Sequence, residues 1–495
     1  MPAHGGVRIH RHRTGASRRF RRGRLISGSI VIRWNLSDRP LVRLCTLCIL
    51  YVAQGIPYGF VTVTLAAYLA ERGFDAGAIG ALAAAATLPW TFKWVWGPLI
   101  DRFGIPSMGR RRPWIILAQG GMILSIASMT LVSLEPVSTS FWIHLPGVGP
   151  VSVVSTQIPQ LDLAVLGWMI FVHNIFNSLQ DVSVDALAVD LLREEERGRV
   201  SGLMYGSKFI GTFIGGAVLS RVLTSEGLAG VFMWQIVILS GIMLLPLLLR
   251  ERSGERLLPW TKGSIQLQPG EVLSKSALML FRRLGKAFSL RSTQLAGAIG
   301  LCMFIANGAL GPVLQVFYIE DLGWQRTDYT DISGGWGVFL GLAGAMGGGF
   351  LADLFGAKRI IAFGSIGLGI CYLAFAAMAP DVFGSGWFSW ESRGAMTMFI
   401  LAEGFLLSMA TVGLFSMYMS VSWPIVAGTQ FTAYMALLNL STTTGQWMAG
   451  LVEDVGLLQV VVAFGIFQLL LVLLLPLIDV HQTRRLLGDG TGAST

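Results

Sequence analysis

Asn174, Asn177, Asp181 and Asp185 follow one another at i, i+3, i+7 and i+11 in an otherwise apolar stretch. On a helix this spacing puts all four on one face. Carboxylates one turn apart disfavour double ionisation, so one of the two could hold a proton at neutral pH. Such a pair suits proton uptake and release; a structural ion pair is the competing reading. Lys93 precedes Asp101 by eight residues. The two share a face, and Lys93 sits roughly 12 Å from the helix end at about 1.5 Å per residue. Snorkelling to water is difficult from there, so Lys93 faces protein or a cavity. It could pair with the carboxylates at 181 and 185 or bind an anionic group of a solute. Lys208 carries the same two readings. Glu403, between Ala402 and Gly404, is the only acidic residue deep in the second half of the chain. Proton coupling, solute contact or a packed hydrogen bond would each explain it. Gln54, Gln119, Gln315, Gln430, Tyr434, Asn439 and Gln446 add neutral polar groups that line a path or join helices.

Other chemistry is poorly supported. No nucleophile with its own base stands out, so an enzyme is not expected. Cys45 and Cys48 have metal-ligand spacing, but no second Cys pair or His cluster completes a site. No metal and no cofactor are expected. A phosphate-binding glycine loop is missing, which argues against ATP as energy source; a proton gradient is the driving force that the carboxylate pair would suit.

The elements that hold these residues must lie in a membrane. The chain has 495 residues, 53% hydrophobic and only 13% charged. That is too little charge for a soluble surface of this size. Twelve stretches reach the roughly 20 apolar residues that cross a bilayer. The reading is an all-α membrane protein of twelve transmembrane helices in two six-helix pseudo-repeats. Its segments are a basic tail (1–43), a first bundle (44–250), a linker with an amphipathic helix (251–293), a second bundle (294–480) and a short tail (481–495). Arg110, Arg111, Arg112, Arg193, Arg197, Arg199, Lys358, Arg359, Arg484 and Arg485 fall in loops on the side of both termini. Excess positive charge makes that side cytoplasmic. The first 43 residues hold eleven Arg and one Asp, a tail suited to an anionic membrane surface. Nucleic-acid binding by that tail is the weaker alternative, so no nucleic-acid partner is expected. The partners expected are a small-molecule substrate and the lipid bilayer, with the chain a monomer.

The halves repeat in sequence. Gly97-Pro98-Leu99-Ile100-Asp101-Arg102-Phe103-Gly104 matches Gly349-Phe350-Leu351-Ala352-Asp353-Leu354-Phe355-Gly356 at five of eight positions, 252 residues apart. Each copy closes an even-numbered helix. Asp101 and Asp353 could each face the positive N-terminus of a helix from the other half, near Gly428 and Gly198. With Gly97, Arg102, Arg110, Arg111, Gly349, Lys358 and Arg359 they form a candidate cytoplasmic gate, locked when those contacts form. Glycines 202, 206, 211, 215 and 216 run along the fifth helix and suit close packing.

The repeated G-x-L-x-D resembles the loop motif of the major facilitator superfamily. Phe92-Lys93, Trp96, Pro98-Leu99, Asp101-Arg102, Gly109-Arg110-Arg111-Arg112 and Trp114 look more narrowly like the AmpG family. So do Gln180-Asp181, Asp185-Ala186, Asp190 and, opening the eleventh helix, Gly428-Thr429-Gln430-Phe431. The resemblance runs from about residue 44 to 478. It implies rocking of two halves about a central site, and import of muropeptides driven by protons across a bacterial inner membrane. The family also includes acetyl-coenzyme A transporters, and Tyr51-Val52, Gln54-Gly55-Ile56-Pro57 look closer to that branch. A scaffold or sensor on the same fold is the reading of another class.

Overall fold

A computed structural model describes residues 35–103, 105–131, 139–145, 149–155, 160–261 and 277–488. The basic segment before Asn35, Gly104, and Lys262, Val272, Leu273 and Lys275 of the linker lie outside the described residues. From Asn35 onward the chain forms one compact unit.

Twelve helices cross the molecule in alternating directions. In chain order they are α1 (Pro40–Glu71), α2 (76–102), α3 (Arg112–Met129), α4 (Gln160–Leu191), α5 (194–226) and α6 (228–248). Then come α7 (Arg291–Asp321), α8 (Arg326–Phe355), α9 (Ala357–Ala377), α10 (Arg393–Val421), α11 (427–455) and α12 (457–477). α1 begins before the expected residue 44 because Pro40 sits in its first turn, where a missing N–H is tolerated. Gly227, with φ 69°, is the single residue that separates α5 from α6. An even number of crossings brings Asn35 and Gly488 to one end, called the terminal end; the other is the distal end.

One feature departs from an all-helical chain. Between α3 and α4 runs an antiparallel hairpin, β1 (Thr139–Leu145) and β2 (Gly149–Ser155), with Thr139 opposite Ser155 and Leu145 opposite Gly149. Phe141, Trp142, Ile143, Val151, Val153 and Val154 are strand-forming types, and that local preference prevails in a connection outside the apolar spans.

The two halves are built alike. α1 packs on α5 so closely that a Cβ on Gly211 would lie 2.3 Å from the Val52 carbonyl oxygen and 2.8 Å from Gly55 Cα. α7 packs on α11 in the same way: a Cβ on Gly445 would lie 2.2 Å from the Ile305 carbonyl oxygen. Gly55 and Gly308 stand 253 residues apart, close to the offset of the sequence repeat. Along α5, Gly211, Gly215 and Gly216 make close contacts as expected. Gly202 has nothing within 4 Å and Gly206 only a side-chain carbon of Leu342 at 4.0 Å, so neither is a close-packing position.

Between halves, the polar contacts gather from the middle of the molecule to the distal end. Arg326 is buried at the start of α8. Its guanidinium donates to Glu71 Oε2 (2.8 Å), to the Ser220 carbonyl and hydroxyl (both 2.8 Å) and to Thr224 (2.9 Å). Thr330 donates to Ser220 (2.8 Å), and Arg221 pairs with Asp331 (2.8 Å). Two π-turns, Ile214–Val218 in α5 and Asp331–Trp336 in α8, meet here, and a Cβ on Gly334 would lie 2.8 Å from the Gly216 carbonyl carbon. A π-turn frees carbonyls from the helix ladder. The Thr64 hydroxyl engages those of Gly215 and Gly216 at 2.8 and 2.9 Å. Between α2 and α11, Thr87 bonds Thr443 (2.9 Å) and Gln446 (2.6 Å), and Asn439 donates to the Trp90 carbonyl (3.1 Å).

The terminal end is open by contrast. Neither Gly97 nor Gly428 has anything within 4 Å of a Cβ position. The Asp101 side chain is 55% exposed, and Asp353 is exposed as well.

The linker is partly docked rather than loose. Glu251 is buried and accepts the backbone N–H groups of Arg110 (3.1 Å), Arg111 (2.7 Å) and Arg112 (2.5 Å), capping α3. The Arg112 guanidinium in turn donates to the carbonyls of Met108, Arg256 and Leu257. Leu36 and Ser37 donate to the carbonyls of Arg250 and Glu251. Beyond the undescribed stretch, the helix Ala277–Phe288 rests on the second half through Ala287, against Trp423 and Val426, and through Phe288, against Tyr434.

Candidate functional site

Helix breaks bring the site together. Pro89 and the 3-10 turn Lys93–Val95 interrupt α2 and turn Lys93 toward α4. There Lys93 Nζ lies 3.4 Å from Asp181 Oδ2, with side-chain exposures of 12% and 8%. Removing one partner of so enclosed a pair leaves the other charge uncompensated, which costs about 3–5 kcal/mol. Asp185, one turn along, takes the Tyr51 hydroxyl of α1. Lys208 of α5 takes neither carboxylate at ion-pair distance among the described residues. Its ammonium lies over the rings of Trp90 (4.7 Å) and Tyr58 (5.7 Å). Trp90 also donates through its indole N–H to Asn174 (3.1 Å), so one side chain links α2, α4 and α5. Asn177 is buried, and both its amide atoms lack a partner among the described residues, as do those of Gln54.

In the second half, Glu403 of α10 accepts the Tyr372 hydroxyl (2.8 Å) and the Asn307 amide (3.2 Å). It lines a cavity of about 190 Å³ among α7, α8 and α10.

The remaining neutral polar residues are placed differently from a common cavity lining. Gln430 caps the α10–α11 turn, accepting the Trp423 N–H (2.9 Å), and Tyr434 donates to the Thr293 carbonyl (3.3 Å); both are fully buried within the second half. Gln315 donates to the Thr62 carbonyl (2.8 Å) and so belongs to the contacts between halves. Gln119 is buried, and His173 bonds Ser125 (3.0 Å) between α3 and α4.

At the terminal end the gate residues are found apart from their expected partners. Asp101 pairs with Arg110 (3.2 Å) and Arg111 (2.6 Å), and Arg111 also holds Asp190 (2.7 Å). Neither Asp101 nor Asp353 caps a helix of the other half here. Lys358 donates to the Ile478 carbonyl and Arg359 to the Phe355 carbonyl (3.3 Å), while Arg102 lies over the Phe103 ring (5.7 Å). Gly349 meets a Val412 methyl at 3.4 Å.

Sequence reasoning missed Arg326, Tyr58 and Trp90 as site residues, and read Tyr51 only as part of a family motif. Arg326 was detectable as a basic residue in a distal loop, against the prevailing charge distribution. The aromatic residues carried no such signal, because tryptophan and tyrosine are common throughout membrane helices.

Two pseudo-equivalent six-helix bundles, closed together at one end over charged groups held inside the membrane, make this a membrane transporter. Residues 47–446 match the Major Facilitator Superfamily, and the chain belongs to it. A Rickettsia felis protein named as an AmpG transporter is 25% identical over 341 residues, 67% of this chain and 73% of that protein. The anhydromuropeptide permease of Escherichia coli K12 is 27% identical over 176 residues, 36% of this chain and 30% of the permease. Among solved structures, a D-xylose-proton symporter superposes with a TM-score of 0.62 at 12% identity, covering 88% of this chain and 97% of its own.

Proposed function

We propose that the chain is a proton-coupled secondary transporter that imports an amino-sugar peptide of the muropeptide kind by alternating access. The observation that carries this reading is the unequal state of the two lysines. Lys93 is neutralised by Asp181. Lys208 rests on two aromatic faces and has its charge available to a carboxylate or phosphate entering from the open end. Asp181 and Asp185, one turn apart, supply the proton site. The muropeptide assignment draws on the name of the Escherichia coli relative. Localisation in a bacterial inner membrane draws on the bacterial relatives, and cytoplasmic termini on the arginines of the terminal-end loops. A single chain contains the whole site, so a monomer suffices. Acetyl-coenzyme A, or another acylated anion, is the second reading, favoured by two lysines on one site.

Vesicle uptake separates these. Radiolabelled anhydro-muropeptide should accumulate only with an inward proton gradient, and Asp181→Asn and Lys208→Met should each lower uptake at least tenfold. Accumulation of acetyl-coenzyme A instead would select the second reading. Uptake of neither solute would remove both and leave a scaffold or sensor on a transporter fold.

A further inference from the structure

The cavity beside Glu403 lies wholly within the second half, apart from the lysine-bearing site of the first. Its walls include Tyr318 and Tyr329, with ring centroids 5.6 Å apart, together with Phe399 and Ser333. Both hydrogen bonds to Glu403 fall on one oxygen, Oε1. The other, Oε2, makes no bond among the described residues and is not one of the sealed polar atoms. Tyr372 and Asn307 therefore fix the carboxylate while leaving one oxygen free. No lysine, arginine or histidine lines the cavity.

A carboxylate with one free oxygen and aromatic walls favours a particular class of ligand. The faces of aromatic rings attract organic cations, most strongly where water is scarce. Small metal cations prefer about six oxygen ligands, and this cavity offers one carboxylate and a few neutral groups. Size narrows the class further. A volume of about 190 Å³ holds roughly six waters at about 30 Å³ each. Complete ligands of drug size fill about 300–1,000 Å³. The cavity therefore takes a head group rather than an entire solute.

We infer that the Glu403 cavity is an ammonium-binding subsite, in which the free carboxylate oxygen and the Tyr318, Tyr329 and Phe399 rings receive a primary alkylammonium. Building on the transport reading above, this deepens it: the first half takes the negative group of the solute and the second takes its positive group, so the solute is a zwitterion. A peptide with a free side-chain amine meets this requirement, and acetyl-coenzyme A, which has no alkylammonium, does not.

The site is testable without transport. The purified full chain in lipid nanodiscs is heated in ethylammonium chloride and in sodium chloride of equal ionic strength. Wild type should unfold at a higher temperature in ethylammonium, with a saturable dependence on concentration. Glu403→Gln should erase that difference. Tyr329→Leu, which keeps the carboxylate, should raise the half-saturating concentration about tenfold, and Lys208→Met should leave it unchanged. Equal midpoints in the two salts for wild type, or an undiminished difference in Glu403→Gln, would overturn the subsite. In vesicles, acetylating the free amine of the peptide solute should abolish its uptake by wild type. Undiminished uptake of the acetylated solute, with the ethylammonium effect intact, would assign the site to a free amine and overturn the zwitterion. An intact ethylammonium effect with no solute transported would instead overturn the transport reading and leave the subsite standing.

Discussion

Glu251 and Glu255 show how two residues of a nominal linker come to act as structure. Burial pushes the Glu251 carboxyl up, and the three backbone N–H donors of Arg110, Arg111 and Arg112 counter that in part. Glu255, which accepts the Arg252 N–H, is raised by burial and by the neighbouring Glu251 from 4.5 to about 7. The direction sets the sign of a pH dependence. Between 4.5 and about 7 the docked segment keeps a proton that an undocked one releases, so docking weakens as pH rises through this window. Limited proteolysis within 250–261 should therefore be slower at pH 6 than at pH 8, and Glu255→Gln should remove the difference. The segment 251–293 was legible as a linker. Its docking was not, because it depends on helix α3 presenting bare N–H groups to a segment some 140 positions later. The stripe 174, 177, 181, 185 was legible for the opposite reason: helical spacing alone assigns its face. Lys93 stands beside Asp181, one of the two partners its depth in the helix left open, whereas the aromatic seat of Lys208 needed the fold.

At the scale of the element, glycines decide how near two helices come. Gly211 and Gly445 let α5 and α11 approach α1 and α7 until backbone meets backbone. A valine at either position must push the helices apart, since overpacking costs about 1–3 kcal/mol even where neighbours can adjust, and backbone carbonyls adjust little. Gly211→Val should lower the thermal midpoint in detergent by several degrees, while Gly202→Val, facing open space, should leave it nearly unchanged. A scan of unfolding temperatures over both variants checks this. The small-residue run on α5 was readable in sequence, but which of its members made contact was not, because helix rotation is set by the neighbour. The π-turns of α1 (Phe60–Leu65), α5 (Ile214–Val218), α7 (Phe317–Asp321) and α8 (Asp331–Trp336) were likewise invisible. They answer a packing demand at the distal end and leave no residue signature of their own.

Across the whole molecule, the distal end is joined and the terminal end is apart, which under the transport reading proposed above is one state of an alternating cycle. Arg326 is the principal tie, because a single guanidinium engages Glu71, Ser220 and Thr224 of the first half. Its removal strips charge-assisted bonds from the distally closed state, and an equilibrium shifts by the difference between states. Arg326→Ala should raise labelling of a Ser333→Cys reporter by a membrane-impermeant maleimide added on the distal side at least fivefold. Unchanged labelling would show that the remaining distal contacts hold that end alone. The repeat near 97–104 and 349–356 disclosed two halves in sequence, yet no sequence feature told which end stands open, since that depends on contacts between residues hundreds of positions apart.

The balance of charge around Trp90 has an electrical consequence. Lys93 and Lys208 against Asp181 and Asp185 sum to zero when all four are ionised, so this first-half cluster, taken apart from Glu403, adds no charge of its own to what the membrane field acts on. Adding one proton makes it a net monocation, and each elementary charge moved through 100 mV exchanges about 2.3 kcal/mol with the field. A zwitterion carried with that proton would generate current and feel the membrane voltage, whereas a monoanion would cancel the charge and pass silently. The sign of the solute is thus written into whether the carrier is a rheogenic device or an electroneutral one.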